Sequence, residues 1–396
     1  MHDIDELLTR GVANIIPGKD ELKKVLELGK KLNIYLGIDP TSTHIHLGHA
    51  VPLRKLQKLA ELGHNVTFLI GDFTALVGDT SDKDSERPIL TSEEIEKNFE
   101  TYKKQAEKLV DFSKITIKKN SEWLSKLGYK EILQLTQKFS LNDFISRELI
   151  RKRLDEGKRV RLDETNYPLM QGYDSYFMDT DLQIGGTDQT FNMQAGRTLQ
   201  KDLRKKESFV LATAFLEGTD GRKMSKSWGN AIWLDDDPND MYTKVMAIVD
   251  SLIINYFILA TNLPLSEIKD IESELKRGEN PMPAKKQLAY QIVLELCGAE
   301  KAEEAQNAFQ KIVQDKDIPI DVYTPKKFVL SISDVISDLA TNHNNSQTKR
   351  LIEQGGVSVN GKKINTEEAN ENVTEGMIIK IGKRKVIQIK PLSVVK

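Results

Sequence analysis

Two pairs of side chains able to bear positive charge stand out in this sequence. His46 and His49 lie three apart in HLGH, and Lys223 and Lys226 flank a Met-Ser step in GTDGRKMSKSWGN (218–230). A spacing of three puts both imidazoles on one helical face. Gly48 between them removes a side chain, so a flat ring or a phosphate can approach the backbone. The lysines sit on a loop flanked by Gly221 and Gly229, a segment suited to bending or moving. Two ammonium groups on such a loop fit closure over a polyanion. The stretch GIDPTSTHIHLGH (37–49) runs from an apolar β-rich segment into a helix, where backbone N–H groups and the helix dipole favour phosphate. It contains neither GxGxxG nor GxxxxGK[ST], so it is not a dinucleotide loop or a P-loop. His44 reads as a solvated loop residue.

A polar constellation follows. In YPLMQGYD (167–174), Tyr167, Gln171 and Asp174 fall at i, i+4 and i+7, on one helical stripe. Such a stripe ordinarily faces water. Its neighbours Leu169, Met170 and Tyr173, and the arrival of Asp79 from another strand end, argue for a pocket wall instead.

The elements that must position these groups alternate. NIYLGI (33–38) and NVTFLIG (65–71) read as buried strands, with a helix over 47–63 between them closed by Gly63. Thr91 and Glu94 form a capping box for a helix over 92–111, and ITIK (115–118) is a further strand. This alternation predicts an α/β fold with a Rossmann-like, doubly wound parallel sheet whose ligands sit beyond the strand C-termini. From about Asp235 the strands stop, and 237–318 reads as helices. A linker, DVYTPKKF (321–328), precedes a small α+β segment with helix patterns at 332–340 and 346–354 and short strands in GVSVNG, MIIKIGK and VIQI. The expected domains are 1–234, 235–325 and 326–396.

With 396 residues, 39% apolar and 29% charged, the chain has an ordinary globular composition with room for two to three domains. The net charge is −2, but residues 326–396 carry 12 Lys/Arg against 7 Asp/Glu. A weakly basic tail on an acidic body allows a tail-borne anionic partner. The single cysteine, Cys297, excludes an intrachain disulfide and a cysteine-based metal site. The acidic start lacks an apolar leader, and the longest apolar stretch, LIINYFILA (252–260), is too short to span a bilayer. A cytoplasmic chain with no membrane partner is expected.

HLGH (46–49) resembles the HIGH signature of class I aminoacyl-tRNA synthetases, and KMSKS (223–227) is similar to their second signature, unaltered. DPT (39–41), FTALVGD (73–79), YPLMQGYD and LQIGGTDQ (182–189) together resemble bacterial tyrosyl-tRNA synthetases, and the tail looks like an S4 RNA-binding domain. The resemblance implies a catalytic domain, a helical anticodon-binding domain and the S4 domain, in that order. It implies tyrosine activation by ATP to tyrosyl-adenylate, then transfer to the 3′-terminal adenosine of tRNA(Tyr).

By the same resemblance, Tyr167, Gln171 and Asp79 hold the tyrosine ammonium, and Asp174 with Tyr35 meets the phenol. Gln183 lines the tyrosine side, Gln189 donates to the substrate carboxylate, and Thr74 touches the amine. A phenol is both donor and acceptor, so Asp174 is expected to accept its proton while Tyr35 donates to its oxygen. Preference for tyrosine over phenylalanine by roughly 10⁵ without editing is established behaviour of this family. The resemblance assigns ATP to Gly37, Asp39, Gly48, Gly186, Asp188 and Met224, together with His46, His49, Lys223, Lys226 and Thr41 around the phosphates. Mg²⁺ is expected as the ion of bound ATP, with no protein-bound metal. Many relatives carry cysteine where Leu36 stands, so a side-chain ribose contact is missing there.

In the tail, Lys349 and Arg350 lie on a helix, and Asn360-Gly361 is a hairpin signal presenting Lys362 and Lys363. Lys383-Arg384-Lys385 adds a second cluster. The S4-like pattern points these lysines and Arg350 to RNA phosphates. A homodimer is a family expectation. Two rival readings are a HIGH-bearing nucleotidylyltransferase, opposed by the intact KMSKS, and an S4 RNA-binding or splicing factor on an inactive synthetase scaffold, opposed by a competent residue at each motif position.

Overall fold

NIYLGI forms the second strand of a six-stranded sheet because both its faces are covered, leaving Ile34, Tyr35 and Leu36 buried. The computed structural model describes residues 2–79, 90–225, 228–311, 320–323, 330–339, 345–374, 376–382 and 385–390. Lys226 and Ser227 of the lysine loop, and Lys383 and Arg384 of the tail, lie outside the described residues. The chain divides into two compact units, Met1–Glu303 and Glu304–Lys396.

In the first unit the strands are β1 (Val12–Ile16), β2 (Asn33–Ile38), β3 (Asn65–Ile70), β4 (Thr116–Lys119), β5 (Leu182–Gly186) and β6 (Phe209–Thr213). Their order is β1-β6-β5-β2-β3-β4. All neighbours run parallel except β1, which pairs antiparallel with β6. The chain leaves β2 toward β3 on one side and later returns through β5 on the other. The C-terminal ends of β2 and β5 therefore frame a topological switch point, where open α/β sheets bind ligands. Register places Tyr35 of β2 opposite Gln183 of β5.

The expected helices are present. Leu47–Glu61 follows β2 directly, and Ser92–Ala106 carries both halves of the Thr91–Glu94 capping box. The stripe-bearing helix Tyr167–Phe177 packs closely on Thr190–Arg204. The approach uses Gly196, where a Cβ would lie 2.6 Å from the Gln183 amide oxygen and 2.8 Å from Ser175. The helical block comprises Pro238–Met246, Ile253–Ala260, Leu265–Lys276, Pro281–Cys297 and Ala299–Phe309. The apolar stretch 252–260 is mostly the helix Ile253–Ala260, with Tyr256 and Phe257 fully buried. Among the described residues no single helix is long and apolar enough to cross a membrane.

The second unit holds a five-stranded sheet, β7 (Ile320–Tyr323), β8 (Val357–Val359), β9 (Lys362–Lys363), β10 (Ile378–Ile381) and β11 (Lys385–Ile389), in the order β7-β11-β10-β8-β9. Helices Ile332–Leu339 and Asn345–Glu353 match the expected patterns, and Val335, Ile336, Ile379 and Ile387 form the core. The start of the expected linker differs. Residues 320–323 form an edge strand parallel to β11, so the tail's sheet begins before residue 326. Asn360 and Gly361 both take positive φ, 47° and 83°, and Val359 pairs with Lys362, as a two-residue hairpin requires.

Candidate active site

His46 is the N-cap of the Leu47–Glu61 helix, and His49 is its third residue. The Gly48 N–H donates to His46 Nδ1 at 3.1 Å, and the His46 N–H donates to His49 Nδ1 at 3.2 Å. Each ring accepts through Nδ1, so a neutral ring carries its proton on Nε2 and presents it as a donor. Burial, helped by His49 and the Lys223 ammonium, holds the His46 ring down at about 2; burial holds His49 at about 4. Both imidazoles are therefore neutral at physiological pH. The ring centroids are 4.1 Å apart. A Cβ on Gly48 would lie 2.9 Å from the His46 ring, which is why glycine suits the middle of the motif.

The lysine loop is tied to this helix start by backbone pairing. His46 bridges Trp233, the Leu47 N–H donates to the Ile232 carbonyl at 2.9 Å, and the Leu234 N–H donates to the Ile45 carbonyl at 3.0 Å. Gly221 and Gly229 bound the loop with φ of +83° and +67°. Lys223 bridges Glu217 and lies over the Phe215 ring, 5.9 Å from its centroid. Asn230 braces the loop, accepting from the Ser225 N–H at 2.8 Å and donating to the Lys223 carbonyl at 3.1 Å.

At the far end of the site the Asp174 carboxyl is buried, accepting from the Trp123 indole at 2.7 Å and from Asn120 at 3.1 Å. Burial pushes it up to about 8, against the pull of those two donors and with help from Asp39. Tyr35 is buried beside it, its phenol also pushed upward by burial and by Asp174. The Tyr35 hydroxyl donates to Gln183 Oε1 at 3.0 Å, and Gln183 Nε2 donates to the Met193 carbonyl at 2.9 Å. Gln183 is fully buried, with both ends of its amide occupied. It therefore stands behind Tyr35 and is not among the residues that line the cleft.

Between these ends lie more carboxylates. Asp39 accepts from the Tyr167 hydroxyl at 2.9 Å and from Thr74 at 2.8 Å, and Asn120 donates to Thr74 at 3.0 Å. A continuous hydrogen-bonded floor thus runs from Asp39 to Asp174. Asp79 accepts from Gln189 at 2.9 Å and Asn192 at 3.1 Å, with the Arg147 guanidinium 3.9 Å away. Arg147 lies over the Phe191 ring at 4.6 Å. Sequence reasoning missed Asn120, Trp123 and Arg147, since none falls in a motif. The one available signal was the polar-aromatic NSEW immediately after a strand.

One cleft of about 290 Å³ gathers the rest. Tyr35, Leu36, Gly37, Asp39 and Thr41 line it from β2 and the following turn; His46, Gly48 and His49 from the helix start. Thr74, Asp79, Tyr167, Gln171 and Asp174 form another wall, and Gly185, Gly186, Asp188, Gln189, Lys223 and Met224 complete it. The Tyr167–Gln171–Asp174 stripe faces this cleft, not solvent. His44 pairs with Asp235 at 2.7 Å on the surface.

In the second unit Lys349, Arg350, Lys362 and Lys363 are exposed. Lys362 pairs with Glu368 at 3.4 Å. Lys385 donates to the Leu339 carbonyl at 2.9 Å, so that amine braces the sheet against a helix.

A family model described as tRNA synthetases class I (W and Y) matches residues 27–314. The tyrosine–tRNA ligase of Dehalococcoides mccartyi is 41% identical over 389 residues, covering 96% of this chain and 97% of that protein. Its counterpart from Carboxydothermus hydrogenoformans is 40% identical over 397 residues, 97% of each. Among solved structures, the tyrosyl-tRNA synthetase of Archaeoglobus fulgidus complexed with L-tyrosine matches with a TM-score of 0.60 at 25% identity, covering 77% of this chain and 99% of that one.

Proposed function

The chain belongs to the tyrosine–tRNA ligases of the class I synthetases, and from that premise we propose how its cleft works. The chain is an enzyme that activates L-tyrosine with ATP and passes it to tRNA. Tyrosine lies with its phenol at Asp174 and Tyr35 and its ammonium among Asp79, Tyr167 and Gln171. ATP places its adenosine along Gly37, Gly48, Gly186, Asp188 and Met224, and its phosphates beneath His46, His49, Thr41 and Lys223. The single observation behind this reading is the arrangement of one cleft, with a buried Asp174 at one end and two imidazole donors at the other.

The hydrogen bonds at the phenol end run opposite to the direction expected from sequence. Turning the Tyr35 hydroxyl toward substrate would orphan the buried Gln183 oxygen, costing about 1–3 kcal/mol. Tyr35 therefore accepts, and the phenol gives it a proton. Asp174, held protonated by burial, donates to the phenol oxygen in turn. The relay Asp174–phenol–Tyr35–Gln183 satisfies every member. Phenylalanine leaves the Asp174 donor and the Tyr35 acceptor unmet, and an indole, a donor only, meets one of them.

In the first step the tyrosine carboxylate attacks the α-phosphorus, the bond to the bridging oxygen breaks, and pyrophosphate leaves. The protein positions the reactants and stabilises charge building on the phosphoryl oxygens. His46 and His49 do so as neutral donors and Lys223 as a cation. Mg²⁺ enters with ATP. In the second step a ribose hydroxyl at the tRNA end attacks the activated carbonyl and AMP leaves.

Lys349, Arg350, Lys362 and Lys363 would hold RNA phosphates in an S4-like second unit, and the helical block would meet the anticodon region. A homodimer and a cytoplasmic location belong to the same reading; for the homodimer, the surface available to a second copy is an apolar groove of about 360 Å³ lined by Phe139, Phe144, Leu169 and Phe191. Leu141 and Leu162 stand exposed nearby in sequence. Charging of tRNA(Tyr) with labelled tyrosine tests the reading. Tyrosine but not tryptophan should be incorporated, and incorporation of tryptophan instead would overturn it.

A further inference from the structure

Phe177 closes the Tyr167–Phe177 helix three residues after Asp174, so the two side chains share one helical face. Trp123, from the short helix Ser121–Leu124 after β4, meets both. Its indole N–H donates to Asp174 at 2.7 Å, and its ring stacks on that of Phe177, with centroids 4.7 Å apart and planes 17° from parallel. The tryptophan is only 3% exposed, whereas Phe177 is 49% exposed. A single exposed apolar ring calls for no explanation by itself. This one lies flat on a buried donor and forms the outer layer of the stack. Trp123 also belongs to a buried cluster with Leu69, Leu124 and Tyr35, the other group assigned to the phenol. Tyr173 flanks the stack, its ring 6.3 Å from that of Phe177 and tilted by 38°.

We propose that Phe177 is a positioning residue for tyrosine recognition: its ring fixes the plane of the Trp123 indole and, through that indole, the Asp174 carboxyl that meets the substrate phenol. An indole offers a single donor, which points outward in the plane of the ring. A ring stacked flat against it resists tilting of that plane and leaves the N–H edge free to reach the carboxyl. Aromatic pairs contribute such geometry beyond the area they bury. Without the stack the indole can tilt, and Asp174 loses its fixed partner on one oxygen while Asn120 still holds the other. The inference rests on the tyrosine–tRNA ligase reading and adds to it a residue that does not line the cleft. The phosphate end, built from His46, His49 and Lys223, is untouched by the stack.

Full-length Phe177→Ala, Phe177→Leu and Phe177→Tyr enzymes provide the test, assayed by ATP–pyrophosphate exchange with tyrosine and with phenylalanine. In Phe177→Ala, and in Phe177→Leu, which keeps apolar cover without a flat ring, the kcat/KM ratio of tyrosine to phenylalanine should narrow roughly 2- to 12-fold, the range for one aromatic pair. The change should come through a raised KM for tyrosine, with kcat and the KM for ATP unchanged. Phe177→Tyr keeps the ring and should keep the ratio. In a Trp123→Phe background, which lacks the indole donor, Phe177→Ala should narrow the ratio no further. Both amino acids weakened alike, a ratio unchanged in Phe177→Ala and Phe177→Leu, a ratio lost equally in Phe177→Tyr, or a full further narrowing without the indole would each overturn the role. Absence of tyrosine-dependent exchange in the unsubstituted enzyme would instead overturn the ligase reading beneath it.

Discussion

The Tyr35 hydroxyl donates to the Gln183 side-chain oxygen at 3.0 Å, across the β2–β5 pairing that sets the two residues opposite each other. Gln183 reaches that position because Gly196 leaves space for its amide, which a Cβ would approach to 2.6 Å. Gly196→Ala should therefore push Gln183 away from Tyr35. The expected outcome is a loss of about 1–3 kcal/mol of stability from overpacking, measured by denaturant titration. It should come with a raised KM for tyrosine and little change in KM for ATP. An equal rise in both would show that Gln183 does not act through Tyr35.

The proposed relay at the phenol would make tyrosine affinity depend on pH in a definite direction. Asp174 donates only while protonated, and burial places its ionisation at about 8. Affinity measured by calorimetry should be level between about pH 6.5 and 7.5 and fall as the pH rises through about 8. Affinity that rises through pH 8, with a proton released on binding, would mean that Asp174 accepts from the phenol as a carboxylate.

His46 and His49 should not titrate in the working range, since burial holds their rings at about 2 and about 4. The chain has six histidines, few enough to follow individually by nitrogen-detected NMR. Both rings should keep the Nε2–H tautomer from pH 8 down to about 5.5. A ring that charges near pH 6.5 would transfer the phosphate interaction from neutral donors to cations.

Lys223→Met removes a cation from the phosphate end and leaves the phenol end untouched. The exchange rate should fall by an amount equivalent to about 2–4 kcal/mol of transition-state stabilisation, with tyrosine affinity unchanged by equilibrium dialysis. Lost tyrosine binding with surviving turnover would put Lys223 in the wrong role.

The sequence exposed the groups that carry chemistry more readily than the groups that hold them. HLGH, the Tyr167–Gln171–Asp174 stripe and LQIGGTDQ were legible because spacing along one helix or turn fixes which side chains share a face. β2 and β3 were legible because both their faces are apolar. The contact between Gln183 and Tyr35 was not legible because the two are 148 residues apart, and only strand register brings them together. Asn120 precedes and Trp123 lies within a short helix after β4 that carries no motif, yet they bind both oxygens of Asp174. β1 went unread because VANII is short and partly exposed at the sheet edge. β7 hid in a segment that reads as a linker, since an edge strand draws its stability from the backbone of β11 rather than from an alternating pattern.

The most direct measurement is a crystal structure of the enzyme with a non-hydrolysable tyrosyl-adenylate analogue. The phenol oxygen should lie within hydrogen-bonding distance of both Asp174 and Tyr35, with Tyr35 still bonded to Gln183, and the phosphate analogue should face the Nε2 atoms of His46 and His49. An analogue bound with its phenol away from Asp174, or with its phosphate directed away from the imidazoles, would contradict the account.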